Sequence, residues 1–209
     1  MTAFKIASLL ILAYLLGSFP TGVIVGKTFF QRDIRDYGSG NIGTTNTFRV
    51  LGPRAGVFVF LIDFFKGTIA TLLPVFFKLG PHWLCLIFGL AAILGHAFSI
   101  FLKFKGGKAV ATSAGFLLGY NLQFFGICAL IFFPLLFLTS MVSLTSLIAV
   151  VLIFIASLFF KDLALSIMAG TLIILIYWSH RSNIKRIISG KENMVPFGIY
   201  YWYKTKHQK

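Results

Sequence analysis

Glycines alternate with small polar residues in one short segment of this chain, residues 37–46, which reads Tyr-Gly-Ser-Gly-Asn-Ile-Gly-Thr-Thr-Asn. Glycine lacks a Cβ atom, so successive backbone N–H groups can point at one anion. Side chains such as Ser39 and Thr45 add neutral donors, and Arg49 adds a guanidinium fork that suits a phosphate. The pattern predicts an anion-binding loop; the alternative is an ordinary flexible loop rich in turn residues.

A second polar segment combines Gly95-His96 with Gly106-Gly107-Lys108, and an apolar stretch follows Lys108 directly. A helix that starts there would present free N–H groups and the positive end of its dipole, both of which attract anions. The alternative for Lys108 alone is an interfacial lysine whose charged end reaches out of the bilayer.

A third segment, residues 178–193, begins where a long apolar stretch ends. An aromatic-belt tryptophan followed by a cluster of cations is typical of a membrane boundary and explains Arg181, Lys185 and Arg186. It does not explain His180 and Asn183, which would share one face if the helix continued through them.

Charged and hydroxyl side chains also occur inside apolar stretches. Asp63 and Lys66 stand three residues apart, are expensive in lipid unless they pair, and therefore predict an ion pair that faces the protein interior. Four hydroxyl residues form a second cluster: Ser140, Ser143, Thr145 and Ser146. The alternative for these is back-bonding to helix carbonyls without a functional role.

The elements that must position these residues are membrane helices. The 209 residues are 58% hydrophobic and only 11% charged, which is too little charge to cover a soluble domain. Seven apolar segments predict an all-α bundle of about seven transmembrane helices, some short or broken, in one domain over residues 1–209: 4–27, 55–79, 83–102, 110–120, 122–139, 146–160 and 162–178. The segment 110–120 is too short to cross an ordinary bilayer as a straight helix.

The cations predict the orientation. Most of the 19 Lys and Arg residues fall in three groups: Lys27, Arg32, Arg35, Arg49 and Arg54; Lys103, Lys105 and Lys108; Arg181, Lys185, Arg186, Lys191, Lys204, Lys206 and Lys209. The positive-inside rule assigns all three groups to the cytoplasm. With an odd number of crossings, the N-terminus is expected outside and the C-terminus inside.

The net charge of +14 raises the question of nucleic acid. No nucleic-acid-binding module appears among the spans, and cytoplasmic loops that face anionic headgroups explain the charge better, so nucleic acid is not an expected partner. Only five acidic residues exist, and the pair Asp33 and Asp36 sits beside Arg32 and Arg35. A metal site and a carboxylate dyad are therefore not expected.

With these motifs in hand, the chain resembles the bacterial acyl-phosphate:glycerol-3-phosphate acyltransferases of the inner membrane. Residues 38–46 are similar to that family's G-S-G-N-x-G-x-T-N motif, residues 95–112 to its G-H-x-F…F-x-G-G-K-x-V-A-T motif, and residues 180–192 to its H-R-x-N-I-x-R…G-x-E motif. The resemblance runs over nearly the whole chain. It departs from the common pattern at Thr44, Ala109 and Ser99.

The resemblance implies a seven-helix bundle with an active site on the cytoplasmic side of a bacterial cell membrane. It implies acyl transfer from an acyl phosphate to the 1-hydroxyl of sn-glycerol 3-phosphate, which gives lysophosphatidic acid and phosphate in the first step of phospholipid synthesis. No metal, nucleotide cofactor or acyl-enzyme intermediate is expected. The partners expected are the two substrates, bilayer lipids and the upstream enzyme that forms the acyl phosphate.

On this basis we expect one set of residues to hold glycerol 3-phosphate and another to cradle the acyl phosphate. The first set is Arg49, Lys108 and His180, with Ser143 or Ser146. The second set is Thr45, Asn46, Gly106 and Gly107, with His96 and Asn183 orienting the acyl phosphate. Ser39 and Gly40 are also expected to bind substrate. His96, Lys108 and Asn183 are the expected catalytic residues.

Two other functions fit part of the pattern. Broken helices with glycine-rich starts also serve transporters of anionic phosphorylated metabolites. Against a transporter, the sequence has no internal inverted repeat and its polar residues favour one side. A non-catalytic lipid-binding or scaffold subunit would leave the three polar motifs unexplained.

Overall fold

The computed structural model describes residues 2–207, in which every regular element is helical and no strand occurs. The C-terminal lysine of the third cationic group, Lys209, lies outside the described residues. The helices are α1 Thr2–Ser18, α2 Thr21–Phe30, α3 Thr44–Leu51, α4 Pro53–Phe76, α5 Leu84–Ala97, α6 Val110–Tyr120, α7 Leu122–Thr139, α8 Val142–Ser157, α9 Leu163–Ser179, α10 Arg181–Ile188 and α11 Ile199–Lys206.

Four apolar helical stretches are long enough to cross a membrane: Pro53–Phe76, Leu84–Leu102, Leu122–Thr139 and Val142–Phe160. Two bent pairs, α1 with α2 and α9 with α10, raise the number to as many as six if each pair is one span. Helix α6 is apolar but shorter than these spans, and it is not included in either count. The protein is therefore a multi-pass helical membrane protein.

The first segment, expected as one stretch over residues 4–27, is broken. Helix α1 ends at Ser18, α2 begins at Thr21, and the two are bent by 46°. Pro20 is the cause, because proline has no N–H to donate to the preceding turn and disfavours helical backbone at Phe19.

The last span also bends, by 64° at His180. The helix does not continue straight through His180, so the condition under which His180 and Asn183 would share one helical face is not met. His180 instead ends α9 and precedes α10. The expected segments 110–120 and 122–139 coincide with α6 and α7, whereas the segment expected from 146 begins earlier, at Val142.

Two compact units divide the chain, Met1–Leu122 and Gln123–Lys209. In the first unit α1 packs on α5, and α4 packs on α5 and α6. Small residues permit this close approach, because a Cβ on Gly17 would overlap the backbone of Ala92 and one on Gly115 would overlap the carbonyl of Phe64. A cluster that includes Ala13, Ala70, Phe88 and Ala92 fills the space between α1, α4 and α5.

In the second unit α8 and α9 pack together, and α10 contacts α8 near its beginning. The five residues between Ser157 and Leu163 make the two long helices antiparallel. Asp162 caps α9 by accepting a hydrogen bond from the Leu165 amide at 3.0 Å. The end of α9 and the start of α8 consequently lie at the same end of this unit, as the 3.4 Å contact from the Tyr177 hydroxyl to the Leu147 carbonyl shows.

Candidate active site

The glycine-rich loop of the first unit is shaped by the side chain of Asn46, which is buried. Its amide nitrogen donates to the carbonyl oxygens of Ile34 at 2.8 Å and Tyr37 at 3.2 Å, while its oxygen accepts from the Ser39 amide at 2.8 Å. Gly38 and Gly40 adopt φ values of 62° and 70°, which favour residues without a Cβ. Asn46 thus engages the loop backbone through both ends of its amide and holds the loop in a fixed conformation.

Helix α3 begins where this loop ends, with Gly43 as its N-cap. The Gly43 amide donates to the side chain of Asn41 at 2.9 Å. Thr45 and Arg49 stand four residues apart on α3 and therefore share one face. The loop, the first turn of α3 and the exposed Arg49 together place backbone donors, a hydroxyl and a cation on one short element.

A separate ion cluster fixes the polar segment that precedes this loop. Asp33 contacts Lys27 at 3.1 Å and accepts hydrogen bonds from Arg35. The Arg35 guanidinium holds the pKa of Asp33 well below its usual range. Asp33 engages both of these cations. We therefore assign Lys27 and Arg35 to shaping this segment and not to binding a second anion.

The Gly106-Gly107-Lys108 segment is tied to the end of α5. The Gly106 amide donates to the Ala97 carbonyl at 3.1 Å, and the Gly107 amide donates to the His96 carbonyl at 2.9 Å. A Cβ on Gly107 would overlap the imidazole of His96. Helix α6 starts two residues after Lys108, which confirms the predicted helix start beside this cation. The structure therefore brings His96, the two glycines and Lys108 together.

A buried polar network lies behind His96. The Asp63 carboxylate contacts the Lys66 ammonium at 2.7 Å and accepts a hydrogen bond from the Thr21 hydroxyl at 2.8 Å. His96 Nδ1 lies 3.9 Å from the same carboxylate and 3.2 Å from the Thr112 hydroxyl. The predicted ion pair of Asp63 and Lys66 is confirmed, and both side chains are buried in the bundle as expected.

The same network holds the break in the first span. Lys66 Nζ donates to the Phe19 carbonyl at 2.9 Å, a group that the helix break leaves without an intrahelical partner. Sequence reasoning missed Thr21 and Thr112 as members of this network. The available signal for Thr21 was its position directly after Pro20, where a polar side chain interrupts an apolar stretch at a helix break.

In the second unit, the structure brings the four expected residues to the end where α8 begins and α9 ends. All four are buried: Ser143, Ser146, His180 and Asn183. The Ser146 hydroxyl donates to the Val142 carbonyl at 2.8 Å, as in ordinary back-bonding. The Ser143 hydroxyl and the Asn183 side-chain oxygen are both buried without a hydrogen-bond partner among residues 2–207. Such orphaned polar atoms are expected where a polar ligand binds.

Glu192 orients this group and was not among the expected site residues. One oxygen accepts from the Asn183 amide nitrogen at 2.9 Å, and the other accepts from Arg186 Nε at 2.9 Å. His180 Nδ1 lies 2.8 Å from the Ile176 carbonyl, which favours the tautomer protonated at Nδ1. The signals for Glu192 were its place as the last residue of the G-x-E motif and its position as the one acidic residue after Asp162.

No group of three metal-ligating side chains occurs within residues 2–207. The first unit offers cations, glycine-rich loops, hydroxyls and an imidazole, and the second unit separately offers cations, hydroxyls and an imidazole. Such a set can bind phosphate groups and stabilise negative charge that develops on an oxygen.

Comparison with known proteins identifies relatives of this arrangement. A family model described as glycerol-3-phosphate acyltransferase matches residues 7–190. A protein named glycerol-3-phosphate acyltransferase 2 from Lactobacillus acidophilus is 78% identical over 209 residues, covering 100% of this chain and 99% of the relative. A glycerol-3-phosphate acyltransferase from Latilactobacillus sakei is 53% identical, covering 98% of this chain and 100% of the relative.

Two solved structures have the same fold. Both are crystal structures of PlsY (YgiH), an integral membrane glycerol 3-phosphate acyltransferase. Its glycerol 3-phosphate form superposes with a TM-score of 0.84 at 35% identity, covering 91% of this chain and 96% of that one. Its lysophosphatidic acid form gives a TM-score of 0.81 at 34% identity, covering 91% and 95%.

Proposed function

This chain belongs to the glycerol-3-phosphate acyltransferase family, and we propose that it takes the acyl group from an acyl phosphate. The acceptor is the 1-hydroxyl of sn-glycerol 3-phosphate, and the products are lysophosphatidic acid and inorganic phosphate. Similarity to named glycerol-3-phosphate acyltransferases over the full length of the chain carries this proposal. The residues support it, because both substrates carry phosphate and the polar segments are rich in cations and amide donors.

Glycerol 3-phosphate is held by a cationic set: Arg49, Lys108 and His180, with Ser143 or Ser146. Arg49 can bind a phosphate through two parallel hydrogen bonds, whereas Lys108 acts as a point charge beside the first turn of α6. Of the two serines, Ser143 is the better ligand, since its hydroxyl has no hydrogen-bond partner in the described part of the chain and that of Ser146 is already donated to Val142.

The acyl phosphate lies against the two glycine-rich segments, where the absence of Cβ atoms permits close approach of the backbone; the amides of Gly40, Gly106 and Gly107 themselves donate to protein carbonyl oxygens. Its cradle is formed by Thr45, Asn46, Gly106 and Gly107, with Ser39 and Gly40 as further substrate-binding residues. Asn46 contributes by holding the first loop in shape, because both ends of its amide are engaged by loop backbone. His96 and Asn183 orient the acyl phosphate, each supported by a carboxylate, Asp63 behind His96 and Glu192 behind Asn183.

In the reaction, the hydroxyl oxygen of glycerol 3-phosphate attacks the acyl carbonyl carbon and forms the ester bond. The bond between that carbon and the phosphate oxygen then breaks, and phosphate leaves with its electron pair. Because phosphate is a good leaving group, positioning and charge stabilisation supply most of the rate. The hydroxyl proton passes to a base, for which His96 and the phosphate of the substrate itself are the two candidates.

We further propose that the single domain crosses a bacterial cytoplasmic membrane seven times. The count consists of the four long helices, the two bent pairs and α6. The one-sided distribution of cations supports an outside N-terminus, a cytoplasmic C-terminus and an active site that faces the cytoplasm. An upstream enzyme that makes the acyl phosphate could then deliver it from the same side.

The test is turnover by the purified protein in lipid mesophase or detergent. Phosphate release that requires both acyl phosphate and glycerol 3-phosphate, with lysophosphatidic acid as the second product, supports the proposal. Uptake of glycerol 3-phosphate into sealed vesicles without acylation would instead indicate a transporter. Phosphate release from acyl phosphate alone, at the same rate with and without glycerol 3-phosphate, would contradict the proposed acceptor.

A further inference from the structure

The chain continues beyond residue 190, where the family match ends, into a tail of unusual composition. The final helix, α11, begins Ile-Tyr-Tyr-Trp-Tyr and ends Lys-Thr-Lys. No acidic residue follows Glu192. Aromatic residues beside lysines are the composition that proteins place at the boundary between acyl chains and headgroups.

The aromatic side chains of α11 are only partly packed on the protein. Trp202 is 53% exposed and Tyr203 is 63% exposed, and no residue of α11 is buried. In water, exposed aromatic surface of this size would be unfavourable. It is expected instead at a surface where one end of each ring is apolar and the other is wet.

The position of α11 is fixed by contacts with the end of α7. The Trp202 ring packs edge-on against Phe137, with ring centroids 5.6 Å apart, and the Tyr201 amide donates to the Ser140 hydroxyl at 3.0 Å. The Val195 amide donates to the Ser140 carbonyl at 2.8 Å. Since Phe137 lies in the last turn of a helix long enough to span the membrane, α11 lies at the level where that span leaves the hydrocarbon.

The charge at this end of the second unit is strongly positive. Helix α9 ends there, and the Lys and Arg residues that follow it within residues 2–207 are Arg181, Lys185, Arg186, Lys191, Lys204 and Lys206. Arg186 is paired with Glu192, whereas Lys204 and Lys206 belong to a stretch without any carboxylate. A surface of this charge at a membrane boundary matches anionic lipid headgroups.

We propose that residues 194–207, the tail segment, bind the anionic surface of the membrane on the side where α7 ends. The aromatic rings of α11 lie at the boundary between headgroups and acyl chains, and Lys204 and Lys206 contact lipid phosphates. The tail segment thereby fixes Ser140 and the joint from which α8 starts, three residues before Ser143. The partner is the lipid surface, and the inference is independent of the proposed reaction.

The experiment uses full-length protein in which two of the three tryptophans, Trp83 and Trp178, are replaced by Phe. Trp202 is then the only tryptophan that remains. The protein is reconstituted in vesicles of phosphatidylcholine, with or without phosphatidylglycerol, that contain a lipid brominated near the headgroup. We expect bromine quenching of Trp202 fluorescence, stronger with phosphatidylglycerol and weakened by high salt.

The variant Lys204→Gln/Lys206→Gln should lose the dependence on phosphatidylglycerol and on salt. By the usual attraction of a lysine to an anionic surface, the ratio of bound to unbound tail should fall by roughly 30-fold. The matched control is Lys161→Gln, which removes an exposed lysine at the other end of the same unit and should leave quenching unchanged.

A charge-reversed variant, Lys204→Glu/Lys206→Glu, separates electrostatics from misfolding. It should match the wild type in phosphatidylcholine and fall below it only when phosphatidylglycerol is present. The proposal is overturned if Trp202 is not quenched in anionic vesicles. It is also overturned if quenching is the same in all lysine variants and at all salt concentrations, which would indicate docking on another protein surface instead of anionic lipid.

Discussion

Asp63 carries a carboxylate into an apolar helix, and its surroundings explain how the protein accommodates it. Lys66 neutralises the charge, Thr21 donates a hydrogen bond, and His96 approaches from α5. The residue thus joins the break in the first span to the histidine expected in catalysis. We interpret Asp63 and Lys66 as positioning residues that fix the break in the first span and the His96 side chain relative to each other.

Replacing Asp63 by Asn should leave the Lys66 ammonium buried without its counter-charge. Breaking a buried ion pair from one side costs about 3–5 kcal/mol, so we expect a loss of that order in the free energy of unfolding. Unfolding in mixed micelles of increasing sodium dodecyl sulfate measures it. The exposed Asp36→Asn variant is the control and should change stability little.

The double variant Asp63→Leu/Lys66→Met removes both charges and should be more stable than Asp63→Asn. Its turnover should nevertheless stay well below that of the wild type, because the Phe19 carbonyl loses the Lys66 ammonium and His96 loses the Asp63 carboxylate. A stable Asp63→Asn protein with unchanged turnover would show that the network positions nothing that the reaction needs.

At the scale of elements, close helix packing depends on glycines. Gly115 on α6 faces the Phe64 carbonyl of α4, and a Cβ there would overlap that carbonyl. Gly126 on α7 has no atom within 4 Å of the position a Cβ would occupy. Both glycines lie within helices, so intrinsic helix propensity favours alanine equally at the two sites.

Gly115→Ala should therefore destabilise the first unit by about 1–3 kcal/mol through overpacking, whereas Gly126→Ala should be neutral or slightly stabilising. The same sodium dodecyl sulfate titration compares the two variants. If Gly115→Ala were as stable as Gly126→Ala, the close approach of α4 and α6 would be contradicted.

How much of these elements the sequence predicts depends on the range of the interactions involved. Local hydropathy predicts α6 and α7 to the residue, and the Asp63–Lys66 pair follows from helical spacing. No proline or glycine lies at the bend at His180, so the local sequence does not predict that bend. The contact of Thr21 with Asp63 joins residues 42 positions apart, and no local pattern specifies it.

In the candidate site, too, local patterns are predictable from the sequence and contacts between distant residues are not. The glycine-rich spacing predicts a loop at residues 37–46, and the start of α6 after Lys108 follows from its composition. Asn46, which the sequence predicts as a substrate ligand, also engages backbone groups of the folded loop, and no local pattern predicts those partners. Glu192 was missed because its partner Asn183 lies across a turn, and a lone carboxylate in a cationic segment resembles surface charge.

For the whole molecule, the sidedness of the second half depends on α6. Its 11 residues cover only about 16 Å as a helix, against a hydrocarbon core of roughly 30 Å. If α6 and its flanking residues cross the membrane, Lys161 lies outside and Lys191 lies in the cytoplasm. If α6 returns to the side it started from, those two positions exchange sides.

Cysteine labelling in intact cells distinguishes the two topologies. In a background of Cys85→Ala and Cys128→Ala, a membrane-impermeant maleimide should label Lys161→Cys and Lys78→Cys. It should label Lys103→Cys and Lys191→Cys only after the membrane is made permeable. Labelling of Lys191→Cys in intact cells would contradict seven crossings with a cytoplasmic C-terminus.

The central claim is that glycine-flanked cations bind the phosphates of two substrates for acyl transfer. Phosphate release with both substrates present, measured for Lys108→Ala and Arg49→Ala, tests it most directly. The matched controls are Lys105→Ala and Arg54→Ala, which replace exposed cations close to the two site residues. We predict that each site variant loses roughly 100-fold or more in kcat/KM for glycerol 3-phosphate, while both controls stay within a few-fold of wild type. Near wild-type turnover by both site variants would contradict the account.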